Sequence, residues 1–296
     1  MVNHVNKQKT YPPWFLFLPL AIYVVFFLSP GLLGVFYSLT DWNARSMGEI
    51  NFVGLKNFRE VFSADENYGQ GIFNTLRFTV ISNIVKLIPA LLLAIMLQKG
   101  LRGRNVYRTI LYLPSILPFL IIGLTFKSIL NFNTGLLNTT LEFLQLDFLK
   151  QKWLTDLDIV WFSIYGVDAW RGIGYVMTIF LAGLNAIPNS YYEAADIDGA
   201  NFLQKLRYIT LPMLSGSIMI NLVFGITYGL KVFDIVYILT NGGPGHATEV
   251  VTTYAYQLYA NGRYGMSTAL NTILFLITMV VGIIIVKSMS KQEVQQ

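Results

Sequence analysis

The chain has 296 residues, of which 54% are hydrophobic and 15% aromatic but only 12% charged, about half the charged share of a soluble domain. That balance excludes an ordinary water-soluble enzyme, and the absence of cysteine excludes disulfides and thiolate metal sites. The net charge of +5 does not point to nucleic acid, because the basic residues sort by side of the membrane.

Six apolar segments are long enough to cross a hydrocarbon core of about 30 Å, which takes ~20 helical residues each. They lie near 14–40, 72–98, 107–130, 158–183, 213–239 and 264–287, in one membrane domain over 14–287 with short tails at 1–13 and 288–296. The runs are apolar all round, unlike the alternating strands of a barrel. The expected fold class is therefore an all-α membrane protein with six transmembrane helices. The run starting at Trp14 is too long for a signal-peptide core and lacks a small-residue cleavage site, so it reads as the first span. Lys7 and Lys9, the short loop with Lys99, Arg102, Arg104 and Arg108, and Lys287 with Lys291 all fall on one side. Lysine and arginine in short loops mark the cytoplasmic face. Both termini and segment 184–212 are accordingly expected inside, and 41–71, 131–157 and 240–263 outside.

Along the spans, Pro89, Pro114, Pro118, Gly172 and Gly174 are helix breakers, read either as packing irregularities or as bends lining a pathway. Gly225 and Gly229 form a G-x-x-x-G that would admit a close neighbouring backbone. Lys86 falls mid-span in the second helix, and Asp168 and Arg171 mid-span in the fourth. Charges at that depth should face protein or water. Asp168 and Arg171, three apart, are expected to pair on one helix face, and Lys231 with Asp234 repeats the spacing in the fifth span. Trp161, Tyr165, Trp170 and Tyr228 flank these charges. Their rings could stack on a pyranose or simply pack helices. With the charges, they make up the candidate substrate pathway. The two histidines, His4 and His246, are far apart in the sequence and read as loop residues.

Between the fourth and fifth spans, a short amphipathic helix is expected after Pro188, capped by Asn189 or Ser190, with acids near its start and a turn at Gly199. Glu193–Ala194–Ala195, three residues, Gly199, nine residues, Ile209, one residue, Leu211–Pro212 resembles the EAA loop of ABC importer permeases at each position. The likeness extends to the carbohydrate-uptake branch and its maltose-type first permease through Phe52–Phe58, Asn74–Leu76, Arg108–Pro114, Leu181–Leu184 and Leu239–Gly245. The large periplasmic insertion of the enteric maltose subunit is missing. The resemblance implies a type I importer fold in a bacterial inner membrane, with a second permease, an ATPase homodimer and an extracytoplasmic solute-binding protein as partners. It makes Glu193, Ala194, Ala195, Asp198, Gly199, Ile209, Leu211 and Pro212 the ATPase-coupling residues. Asn241, Gly242, Gly243 and Pro244, in the outer loops, are candidates for docking the binding protein.

No phosphate-cradling loop, zinc helix or nucleophile elbow is encoded. The chain is thus expected to be no enzyme and to hold no cofactor, with ATP and Mg bound by the partner ATPase. Two alternatives stay open: the same architecture carrying a non-sugar solute such as glycerol phosphate, and an ion-coupled secondary transporter with Asp168 as proton relay. A phosphate solute would call for converging cations, and only Arg171 and Lys86 are on offer.

Overall fold

The computed structural model describes residues 13–45, 49–63, 68–98 and 102–293. His4, Lys7, Lys9 and Lys99, with residues 1–12 and 294–296 of the tails, lie outside the described residues. The apolar runs form helices because, away from water, each backbone N–H must find its acceptor within the segment. In chain order these are α1 (Trp14–Tyr37), α2 (Lys56–Val61), α3 (Tyr68–Gln98), α4 (Arg104–Ile116), α5 (Phe119–Ile129), α6 (Leu136–Phe143) and α7 (Val160–Asn185). There follow α8 (Asn189–Ile197), α9 (Phe202–Met213), α10 (Ser215–Leu230), α11 (Asp234–Thr240), α12 (Val251–Ala260) and α13 (Tyr264–Glu293). α1, α3 and α13 are each long and apolar enough to span a membrane alone, and three further candidates are bent pairs: α4 with α5, α7 with α8, and α9 with α10.

Several expectations need correction. The third span is not one rod: α4 and α5 meet at 96°, because Leu117 and Pro118 are extended and proline lacks the N–H that would continue the ladder. Pro89, by contrast, sits inside an unbroken α3. Gly172 and Gly174 do not break α7, which runs continuously over them. Their missing side chains make room instead: a Cβ at Gly174 would strike the Leu111 carbonyl oxygen, and one at Gly172 would come 2.6 Å from Lys86 Cδ. The fifth span is interrupted at Lys231–Phe233. The segments read as outer loops carry helices of their own, α2, α6 and α12.

The G-x-x-x-G of α10 behaves as its spacing implies. A Cβ at Gly229 would lie 2.7 Å from Thr79 Cα, and one at Gly225 would collide with the Asn83 side chain. α3 therefore lies directly against both α7 and α10. One apolar cluster, with Phe78, Ile164, Ile235 and Leu239, ties α3, α7 and α11 together. A second, with Phe180, Leu184 and Leu214, ties α7 to the start of α10. α1 is exposed over almost its whole length, and its last turns, Ser29–Tyr37, pack on α13.

Candidate functional site: a charged cavity and two helix-end segments

Where α3, α4, α7 and α10 converge they enclose a cavity of about 460 Å³, lined by residues that include Asn83, Lys86, Tyr112, Ser115, Asp168, Arg171, Tyr175, Asn221, Phe224 and Tyr228. The expected Asp168–Arg171 pair is not formed. Asp168, 2% exposed, instead pairs with Lys86 Nζ of α3 at 3.0 Å. Its Oδ2 also accepts from Ser82 Oγ at 2.5 Å, and its Oδ1 from Tyr228 Oη at 2.7 Å. Lys86 Nζ lies 4.5 Å from the centre of the Tyr228 ring. Two buried charges so arranged neutralise one another, with hydrogen bonds on both carboxylate oxygens, the condition under which a buried pair is tolerated. Arg171 turns elsewhere: its guanidinium carbon sits 3.5 Å from the centroid of the Phe119 ring, and its buried Nε has no hydrogen-bond partner among the described residues.

Of the pathway candidates, Lys86, Asp168, Arg171 and Tyr228 are thus brought together. Trp161 and Tyr165 are not: both are buried in the apolar cluster around Phe78, stacked on one another at 5.5 Å. Trp170 lies on an exposed face against Phe126. Lys231 and Asp234 form no ion pair among the described residues, because the helix breaks between them. They line a separate pocket of about 370 Å³ with Phe119, Thr227 and Phe233, and this pocket shares Phe224 and Tyr228 with the main cavity. Asn83, Asn221, Tyr112 and Ser115 were missed by sequence reasoning. Asn83 and Asn221 are amides set among apolar neighbours in a span, which was a usable signal, since a polar group at that depth needs a partner.

The coupling candidates occupy α8 and its flanks. α8 begins directly after Pro188, without a side-chain cap and without an acid in its first turn, so Asn189 and Ser190 are helical residues, not caps. Glu193, Ala194, Asp198 and Gly199 are exposed, while Ala195 is buried. Gly199 has φ +73°, and a Cβ there would meet nothing within 4 Å, so conformation rather than crowding requires glycine. Asn201 and Gln204 then form a capping box at the start of α9. Lys205 reaches back to the Asp196 carboxylate, and Tyr192 Oη meets Thr210 Oγ1 at 3.0 Å. Ile209 is half-buried beside Thr210, whereas Pro212 is exposed. At the end of α3, Gln98 Nε2 donates to the Leu184 carbonyl at 3.1 Å.

Near its opposite end, α3 meets the segment that follows the docking candidates. Asn74 Nδ2 donates to the carbonyls of Ala247 and Glu249 at 3.0 and 2.8 Å, and Val251 N donates to Thr75 Oγ1 at 3.0 Å. Asn241 and Gly242 take positive φ, 51° and 83°, and Thr248 Oγ1 donates to the Gly243 carbonyl at 2.7 Å. Beneath Gly242 lies Glu249, 1% exposed, whose carboxylate accepts from Gln257 Nε2 at 2.7 Å and from Thr253 Oγ1. A Cβ at Gly242 would overlap that carboxylate. In the segment after α1, the Asn51 backbone N–H and then its side-chain amide hold the half-buried Asp41 carboxyl below the usual carboxylate range. The candidate coupling and docking segments thus contact one 31-residue helix near its two ends, at Gln98 and Asn74, about 36 Å apart at 1.5 Å per residue.

Comparison with known proteins gives the family. Residues 86–292 match the family model described as binding-protein-dependent transport system inner membrane component. The chain is 34% identical to a probable ABC transporter permease of Bacillus subtilis, YurN, over 96% of this chain and 97% of that one. It is 33% identical to the trehalose/maltose transport system permease MalF of Thermococcus litoralis, over 97% and 98%. Among solved structures, a chain of a bacterial ABC transporter involved in import of the acidic polysaccharide alginate superposes with a TM-score of 0.80 at 26% identity, covering 94% of each chain. The chain belongs to the binding-protein-dependent transport system inner membrane component family, and is a multi-pass permease component of an ABC transporter.

Proposed function

We propose that this permease forms one half of the translocation pathway of an importer for a sugar or oligosaccharide. The observation that carries the reading is the cavity between α3, α4, α7 and α10. Its size falls within the ~300–1,000 Å³ of small-molecule sites, and its walls alternate aromatic rings with amides and hydroxyls, the groups that stack on and hydrogen-bond to a sugar. Relatives named for trehalose/maltose, arabinooligosaccharides and multiple sugars support the same solute class.

In this reading a second permease supplies the other half of the cavity, and a pair of ATPase subunits binds ATP and Mg and performs hydrolysis. α8, with Glu193, Ala194, Ala195, Asp198 and Gly199, seats on the ATPase, with Ile209, Leu211 and Pro212 holding its return. Only Ala186–Pro188 separate α8 from α7, so movement of α8 turns the helix that carries Asp168 and Arg171. A solute-binding protein docks at the other end on Asn241, Gly242, Gly243 and Pro244, and both chain termini face the cytoplasm. The test is ATP-dependent uptake by the full complex in proteoliposomes, with a panel of labelled saccharides. Uptake that needs the binding protein supports the reading. Uptake driven by a proton gradient without ATP, or stimulation by amino acids or glycerol phosphate alone, would replace it.

A further inference from the structure

The charged groups lining the main cavity are Lys86, Asp168 and Arg171. Lys86 and Asp168 cancel one another at 3.0 Å, and both oxygens of Asp168 are already engaged. Arg171 has neither an ion-pair partner nor a side-chain hydrogen bond among the described residues, and its Nε is buried. The Phe119 ring, 3.5 Å from the guanidinium carbon, holds the group by its flat face, which leaves the in-plane N–H fork unused. That fork matches a carboxylate through two parallel hydrogen bonds.

A second unmatched group faces the same space. Asn221 is 2% exposed, and its Nδ2 reaches the Val176 carbonyl at 3.4 Å while its Oδ1 has no partner among the described residues. An amide oxygen is an acceptor for a hydroxyl. The lining therefore offers one uncancelled cation shaped for a carboxylate, and its wall holds one buried amide oxygen that still lacks a donor.

We infer that the solute is an acidic saccharide whose uronate carboxylate is held by Arg171, an inference that rests on the sugar-importer reading. A single surplus positive charge suits a monoanionic carboxylate, whereas a phosphate dianion would draw on further cations, and Lys86 is committed to Asp168.

The experiment uses the complete transporter in proteoliposomes with its own binding protein. The probes are galacturonate, glucuronate and mannuronate oligosaccharides and their carboxyl-reduced neutral counterparts, matched in length and linkage. ATP-driven uptake of an acidic probe should exceed that of its reduced counterpart, and Arg171→Gln should cut acidic uptake by about tenfold or more, the scale of one charge-assisted contact. Arg171→Lys, which keeps the charge and loses the fork, should fall between the two. Neutral uptake equal to or above acidic uptake, or an equal loss of both probes in Arg171→Gln, overturns the inference and leaves the importer reading in place. Should Arg171→Gln not assemble, Arg171→Lys decides: selective loss of acidic uptake supports the inference, and unchanged selectivity overturns it. Failure of every acidic and neutral saccharide to be taken up or to stimulate ATP hydrolysis sinks the sugar reading itself.

Discussion

Removing Asp168 tests whether the buried charges are arranged as found. Asp168→Ala leaves the Lys86 ammonium, 6% exposed, without its counter-charge, and strips Ser82 and Tyr228 of their acceptor. Stranding one member of a buried pair costs about 3–5 kcal/mol. The Tyr228 ring stays 4.5 Å from Nζ, and a desolvated cation–π contact contributes up to ~2 kcal/mol, so the loss should fall near the lower end, about 3 kcal/mol. Lys86→Met with Asp168→Ala removes both charges and should regain most of that loss, since an apolar replacement of a buried pair is often neutral. Unfolding of the detergent-solubilised protein by SDS titration would measure all four corners of the double-mutant cycle. A double variant that loses the sum of the two single losses would refute the pairing. So would an Arg171→Ala variant rescued by Asp168→Ala, since that would reveal the intrahelical pair that the structure lacks.

Gly199→Val places a β-branched residue at φ +73°, where even an ordinary side chain costs ~1–2 kcal/mol. Transport and solute-stimulated ATP hydrolysis by the complex should collapse, while purified ATPase subunits keep their own activity; unchanged transport would remove α8 from the coupling role. Gly174→Val drives a side chain into the Leu111 backbone and should destabilise the fold by about 1–3 kcal/mol, as overpacking does, whereas Gly216→Ala, with open space around it, should be silent in the same titration. For topology, a cysteine at the exposed Thr155 should react with an impermeant thiol reagent in intact cells and one at the exposed Ser190 should not; the reverse result inverts the orientation. Glu249→Ala should weaken binding-protein stimulation by loosening the Asn241–Pro244 turn, while Glu249→Gln, which can still accept from Gln257, should retain most of it; equal effects of the two would separate Glu249 from the turn.

The number of apolar runs, the positive φ of Gly199 and the close approach at Gly225 and Gly229 were legible because each follows from local rules: span length, turn geometry and side-chain absence. Helix α12 was not read, although Val251, Tyr254, Ala255 and Leu258 stand at helical spacing and are all buried. They sit in a stretch whose glycines and asparagines made the whole of 240–263 look like a loop. The buried Glu249 was lost with it, since a carboxylate in a loop draws no attention until its partners are known to be four and eight residues further along a helix. Lys231 and Asp234 show the converse error. Their three-residue spacing is meaningful only on a continuous helix, and the chain leaves the helix between them.

Asp168 and Arg171 fail for a subtler reason, since they do share the continuous α7. Three residues subtend about 60° around a helix axis, so the two side chains lean toward different neighbours, and interhelical contacts compete with the local pair. Asp168 leans toward α3 and α10, where Ser82, Lys86 and Tyr228 all supply donors; Arg171 leans toward Phe119 at the start of α5. What lets Lys86 reach Asp168 is the residue after Arg171. With no side chain at Gly172, the Lys86 stem lies across the surface of α7, its Cδ only 2.6 Å from where a Cβ would stand. A glycine beside a mid-span charged pair was in view from the start, and read as a breaker it hid its part in the site. Read as a gap, it implies a long side chain from a neighbouring helix passing over it, and Lys86 is the mid-span residue of α3 long enough to do so.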